Sequence, residues 1–133
     1  MTEKVQDKYG PGIWFAIHLM AYKSDKDPTL RRSFLTYIAS LAENFPCGEC
    51  RGHFKNYLLS NPPDKAQELF KWSWEFHNAV NKRLNKKQLT YDEALKPYKT
   101  QAPICTDECG SDHTKSPVTH YYTISSYHRL YDV

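Results

Sequence analysis

The sequence predicts an all-α protein: four main helices, a short fifth helix and an irregular C-terminal tail. Three observations carry this. Apolar residues recur three and four apart along successive segments. Strand-type alternation is scarce before residue 100. Stretches rich in proline, aspartate and asparagine punctuate the segments where helices should end.

The first helix is expected in GPGIWFAIHLMAY, which opens on Gly and Pro and puts Trp14, His18, Ala21 and Tyr22 on one face. SDKDP breaks it. Thr29 is then a candidate cap for a second helix carrying Leu30, Phe34, Tyr37, Ile38, Leu41 and Phe45. A third is expected over 46–59, with Pro46 suited to the first turn, and Asn61-Pro62-Pro63 ends it.

The fourth helix is expected over 65–85. Leu69, Trp72, Phe76 and Val80 form one stripe; Phe70, Trp74, His77, Asn81 and Leu84 form a second. Thr90-Tyr91-Asp92-Glu93 has the form of a capping box and should open a short helix ending near Pro97. From residue 100 Pro, Ser, Thr, Asp and Gly accumulate. Residues 1–99 are therefore read as the helical domain and 100–133 as a tail. Its tyrosine-rich end, VTHYYTISSYHRLYDV, could pair as a strand, dock on a partner or stay extended.

Composition narrows the function. A chain of 133 residues suits one domain with a real core, and 40% hydrophobic with 14% aromatic residues excludes a disordered polymer. A net charge of +3 without a long basic run argues against nucleic-acid binding. No stretch approaches the roughly 20 apolar residues of a membrane span. MTEKVQDKYG lacks the apolar centre of a secretory signal. The expectation is a soluble protein made in a reducing compartment, where four cysteines point to catalysis or metal binding.

FPCGECRGHF, residues 45–54, holds Cys47 and Cys50 at the expected start of the third helix. Three apart, they share a face within reach of a disulfide. The helix N-terminus favours thiolate, the form that attacks disulfides. Cys47 and Cys50 could equally be half of a zinc site completed by Cys105 and Cys109 or by His53, or inert buried thiols. HNAVNKRLNKK places His77 and Asn81 on one face with Trp74 and Leu84. Polar groups in an apolar stripe need partners, and His18 beside Trp14 repeats the pattern. A flat polar ligand between helices would supply them. Lys82, Arg83, Lys86 and Lys87 either complement the helix dipole or meet a diphosphate. No Gly-x-Gly-x-x-Gly or Walker loop is present.

Together, Trp14 with His18, FPCGEC, and His77-Asn78-Ala79-Val80-Asn81-Lys82-Arg83-Leu84 resemble, in order, the motifs of the Erv/ALR family of FAD-linked sulfhydryl oxidases. The likeness spans roughly residues 9–99. It implies a four-helix bundle plus a short fifth helix that holds FAD, usually as a homodimer. It implies catalytic roles for Cys47 and Cys50. It implies cofactor contacts from Gly10, Gly12, Trp14, His18, Tyr22, Cys50, His53, His77, Asn78, Val80, Asn81, Leu84, Lys86, Lys87 and Tyr98, with no metal. Tyr98 falls where many members have a tryptophan.

Two departures stand out. Many cellular members carry a disulfide joining the fourth helix to the segment after it. Trp74 and Tyr91 occupy its positions here, so aromatic packing takes its place. Pro11 replaces an arginine common in the first motif. Both departures resemble the compact oxidases of large cytoplasmic DNA viruses. The resemblance implies that a protein dithiol, in a thioredoxin-like or viral partner, reduces the Cys47–Cys50 disulfide. Electrons then pass to FAD and O2, giving hydrogen peroxide. Cys105 and Cys109 take the place of a shuttle pair by position only. The compartment implied is the host cytoplasm or the virion, with the mitochondrial intermembrane space as the alternative. The rival reading is a zinc-stabilised helical binding module using all four cysteines.

Overall fold

The computed structural model of the chain describes residues 5–101, with side chains over 9–99. Five α-helices and one short 3-10 turn make up the regular structure there, with no strand among the described residues. The all-α expectation holds. The tail, with Cys105 and Cys109, lies outside the described residues.

Helix α1 (Val5–Lys26) is longer than expected at both ends and takes Pro11 into its second turn. A proline there removes one backbone donor but keeps a helical φ. At the far end Ser24 Oγ donates to the Met20 carbonyl at 2.7 Å. The SDKDP break thereby shrinks to Asp27, the N-cap of α2 (Pro28–Asn44). Asp27, not Thr29, is the cap: its Oδ1 accepts from the Thr29 N–H at 3.0 Å and the Thr29 hydroxyl at 2.7 Å. Pro28 takes the first helical position, where no N–H is needed.

Helix α3 (Gly48–Ser60) starts later than expected, leaving Pro46 outside, because Cys47 is its N-cap. Helix α4 (Leu69–Arg83) also starts later. Pro63–Lys65 forms the 3-10 turn, and Ala66 and Glu68 are extended. The start is fixed from a distance. Both carboxylate oxygens of Asp25, on α1, accept from the first α4 amides, Leu69 N–H at 2.7 Å and Phe70 N–H at 2.8 Å. A negative charge there also suits the helix dipole. Helix α4 ends in a Schellman turn. Lys86 N–H donates to the Asn81 carbonyl (2.8 Å) and Asn85 N–H to that of Lys82 (3.2 Å). Asn85 has φ 54°, the left-handed region asparagine tolerates.

The capping box of α5 (Tyr91–Gln101) forms as expected, with Thr90 N–H to Glu93 Oε2 at 3.0 Å and Glu93 N–H to Thr90 Oγ1 at 3.2 Å. The helix runs through Pro97 instead of ending there.

Helix α1 packs against α2 and α4, and α2 against α3. Phe54 and Tyr57 of α3 meet Phe76 of α4 at ring distances of 4.7 and 4.6 Å, closing the four-helix ring. Its core is Ile17, Ala21, Phe34, Ile38, Ala42, Phe54, Leu69, Trp72 and Phe76. Each large apolar side chain buried there contributes about 1.5–3 kcal/mol. A second cluster joins Phe70 of α4 to Ala94, Leu95 and Tyr98 of α5. Among the described residues no helix is long and apolar enough to cross a membrane.

Candidate functional site

Helices α1 and α4 bring two histidines into contact. His18 Nε2 lies 2.9 Å from His77 Nδ1, and His18 Nδ1 lies 2.8 Å from Ser73 Oγ. Ser73 is fully buried and His18 is 4% exposed. The spacing does this: His18 lies one turn beyond Trp14 on α1, and Ser73 one turn before His77 on α4. The Trp14 indole lies flat on His77, centroids 4.0 Å apart and planes 7° from parallel. Tyr98 of α5 approaches His18 at 5.8 Å.

Burial pushes His18 down to about 3, with His77 adding a smaller effect. Burial also pushes His77 down to about 4, helped by the Lys86 charge. Both rings are neutral at pH 7. Burial raises Tyr98 to about 12, so it stays a neutral phenol. A Cβ at Gly10, or at the exposed Gly12, would meet nothing within 4 Å. Gly10 precedes Trp14 by one turn on the same face of α1. Tyr22 lies further along α1, edge-on to Phe70 at 6.1 Å, with Lys26 Nζ 4.3 Å above its ring.

The other members of the expected set are placed as follows. Asn78 holds the backbone of Leu89 from both sides, donating to its carbonyl at 2.7 Å and accepting from its N–H at 2.9 Å. Asn81 Nδ2 donates to the Lys87 carbonyl at 3.1 Å. The two asparagines thus shape the loop between α4 and α5. Val80 packs on the main core. Leu84 is 47% exposed. Lys86 and Lys87 are exposed at the end of α4, with Lys87 Nζ 3.9 Å from Glu93. His53 is exposed on α3, 3.6 Å from Glu49, and no contact joins it to the histidine pair.

Cys47 and Cys50 are joined in a disulfide at the start of α3, with Cα atoms 5.1 Å apart. Cys47 Sγ accepts from the Cys50 N–H at 3.2 Å. The Arg51 guanidinium donates to the Phe45 carbonyl, fixing the loop that leads into the pair. Phe54, one turn past Cys50, packs on Phe76, and Phe76 packs on Trp14 at 5.1 Å. A run of ring contacts therefore joins the dithiol helix to the histidine pair. Among the described residues no group of three or more His, Cys, Asp or Glu is arranged to hold a metal.

Sequence reasoning missed Ser73 and Asp25. Ser73 gave a signal, as a polar residue four before His77. Its pairing with His18, 55 residues away, has no local mark.

Residues 11–101 match the model of the Erv1 / Alr family. Among curated proteins, the chain is 35% identical over 106 residues to a FAD-linked sulfhydryl oxidase of African swine fever virus (isolate Pig/Kenya/KEN-50/1950), covering 77% of this chain and 88% of that one. It is 32% identical over 85 residues to FAD-linked sulfhydryl oxidase ERV1 of Oryza sativa subsp. japonica, covering 61% of this chain and 44% of the relative. It is 30% identical over 103 residues to Sulfhydryl oxidase 2 of Arabidopsis thaliana, covering 71% and 21%.

Proposed function

The chain belongs to the Erv1/Alr family, and on that premise we propose that it is an FAD-linked sulfhydryl oxidase, which converts pairs of protein thiols to disulfides. The observation that supports this most is the joined Cys47–Cys50 pair at a helix N-terminus, linked through edge-on contacts of Phe54 with Phe76 and Phe76 with Trp14 to the His18–His77 contact. The zinc-module reading is set aside: these two sulfurs are bonded to each other, and the matching relatives are named as sulfhydryl oxidases.

The residues fit a flat heteroaromatic cofactor. Trp14 and Tyr98 supply ring surfaces, Gly10, one turn before Trp14, carries no side chain to fill the space there, and His77 supplies a polar edge. Bound FAD would supply two-electron acceptance from thiols and reoxidation by oxygen. Cys47, Cys50, Trp14, His18, His77 and Tyr98 are the proposed site, with Lys86 near its rim. Asn78 and Asn81 serve it by holding the loop after α4.

The exchange step uses the chain's own sulfurs. A substrate thiolate attacks Cys47, the outer sulfur, and the Cys47–Cys50 bond breaks. Cys50 leaves as thiolate, favoured by the N-terminus of α3. The second substrate thiol then displaces Cys47, so the substrate gains a disulfide and the enzyme holds two reduced sulfurs. Cys50 lies on the turn that leads to Phe54, and it is the proposed donor toward the cofactor.

The finer assignments are also proposals. The substrate is a protein dithiol, thioredoxin-like or viral, and molecular oxygen is the acceptor. The enzyme works as a homodimer in the host cytoplasm, supporting disulfide formation in viral proteins. Cys105 and Cys109 relay electrons from substrate to Cys47, a role supported by their position in the sequence. Oxygen uptake with a reduced dithiol, measured beside the flavin absorbance of the purified protein, tests the reading. Wild type should be yellow and consume oxygen, while Cys47→Ser should stay yellow and consume none. A colourless wild type, or unchanged uptake by the variant, counts against it.

A further inference from the structure

The Ser73–His18–His77 contacts allow only one arrangement of protons. Ser73 Oγ lies 2.7 Å from the Phe70 carbonyl oxygen. A carbonyl can only accept, and two oxygens so close repel unless a proton sits between them. The single hydroxyl proton of Ser73 is therefore committed to Phe70. At its other contact, 2.8 Å from His18 Nδ1, Ser73 must accept, so His18 carries its proton on Nδ1. His18 is neutral in its buried site, which leaves Nε2 as an acceptor. His77 Nδ1, 2.9 Å away, must then be the donor. His77 is neutral too, so its Nε2 is unprotonated. That nitrogen has no partner among the described residues.

We infer that Ser73 is a positioning residue that sets the tautomers of both histidines, so that His77 offers the bound cofactor a hydrogen-bond acceptor at Nε2. The inference rests on the FAD reading for its ligand, but not for its proton order. It restricts the chemistry that can meet His77. An N–H or O–H of the cofactor, on a ring edge or a ribose, fits there. A phosphate or carbonyl oxygen would face a lone pair and be refused.

Removing the hydroxyl should reverse the chain. With Ser73→Ala, a proton on His18 Nδ1 would be a buried donor with no acceptor, which costs more than a bare lone pair. The proton moves to His18 Nε2, which donates to His77 Nδ1. His77 is left with a proton on Nε2 and becomes a donor.

Long-range 1H–15N correlation spectra of the full flavin-loaded chain at pH 7 read this directly. His18 and His77 resonances are assigned with single His→Gln variants. In wild type both rings should show protonated Nδ1 and unprotonated Nε2. Ser73→Ala should reverse both, and Ser73→Thr, which keeps the hydroxyl, should restore the wild-type pattern. Flavin released on dilution should rise in Ser73→Ala, with affinity weakened about tenfold, the worth of one hydrogen bond. A wild-type spectrum with His77 protonated on Nε2 overturns the inference, even if no variant folds. So does a Ser73→Ala spectrum with both tautomers unchanged. A wild type that carries the predicted tautomers but binds no flavin would sink the FAD reading and leave the proton order standing.

Discussion

The indole of Trp74 and the ring of Tyr91 meet edge to face, with centroids 5.5 Å apart and planes at 85°. The family resemblance implies a disulfide at these two positions in many cellular members. Trp74 Nε1 also donates to the Leu89 carbonyl at 2.7 Å. Ring packing plus one hydrogen bond thus ties α4 to α5 without sulfur.

Replacing Trp74 by alanine should lower stability by about 3 kcal/mol, the range for deleting a large packed aromatic. Urea unfolding checks this. The loss should be the same with and without a reductant, because no sulfur lies at the junction. A loss within about 0.5 kcal/mol, the scale of an ordinary surface change, would mean that the contact carries no load.

Asn78 is the second tie. Its amide makes both bonds a peptide group would make to Leu89. Asn78→Ala should cost about 2 kcal/mol, two hydrogen bonds at roughly 1 kcal/mol each. Asn78→Asp keeps the acceptor but sets a carboxylate oxygen against the Leu89 carbonyl, so it should lose at least as much as the alanine variant. Thermal melts of the three proteins give the order, and an aspartate variant as stable as wild type would refute the donor bond to the carbonyl.

Acid should weaken the fold through the histidine pair. The unfolded chain binds a proton at each ring as pH falls through about 6.5. The native rings resist until about 4 for His77 and about 3 for His18. Between those limits the unfolded state holds more protons, so stability is full above pH 6.5 and declines toward pH 4. Melting temperatures from pH 7 to 5 should fall, and His18→Gln should flatten that slope. A flat wild-type profile over this range would show that the pair is not buried neutral.

The helices were legible because their apolar spacing is local. Phe34 and Ile38, or Leu69, Trp72 and Phe76, declare a face by themselves, and all five are buried. The capping box Thr90 to Glu93 is local too, and it formed. The misplaced boundaries came from contacts that no short window contains. Asp25 fixes the start of α4 from 44 residues away. Pro11 and Pro97 read as punctuation, yet each sits inside a helix, since one lost backbone bond is tolerated when the flanking turns persist. The motif residues Trp14, His18 and His77 meet in the structure. The spacing gave no sign that the amides of Asn78 and Asn81 also hold the loop after α4. His53, in the segment with the cysteines, lies 3.6 Å from Glu49, a contact one helical turn away.

Anaerobic mixing of a reduced dithiol with the flavin-loaded protein tests most directly whether Cys47 and Cys50 lie on the electron path. In wild type the oxidised flavin absorbance should bleach as the dithiol is consumed, while Cys50→Ser, mixed in the same way, should keep its colour. Bleaching of Cys50→Ser at the wild-type rate would contradict the account, because thiols would then reach the cofactor without this pair.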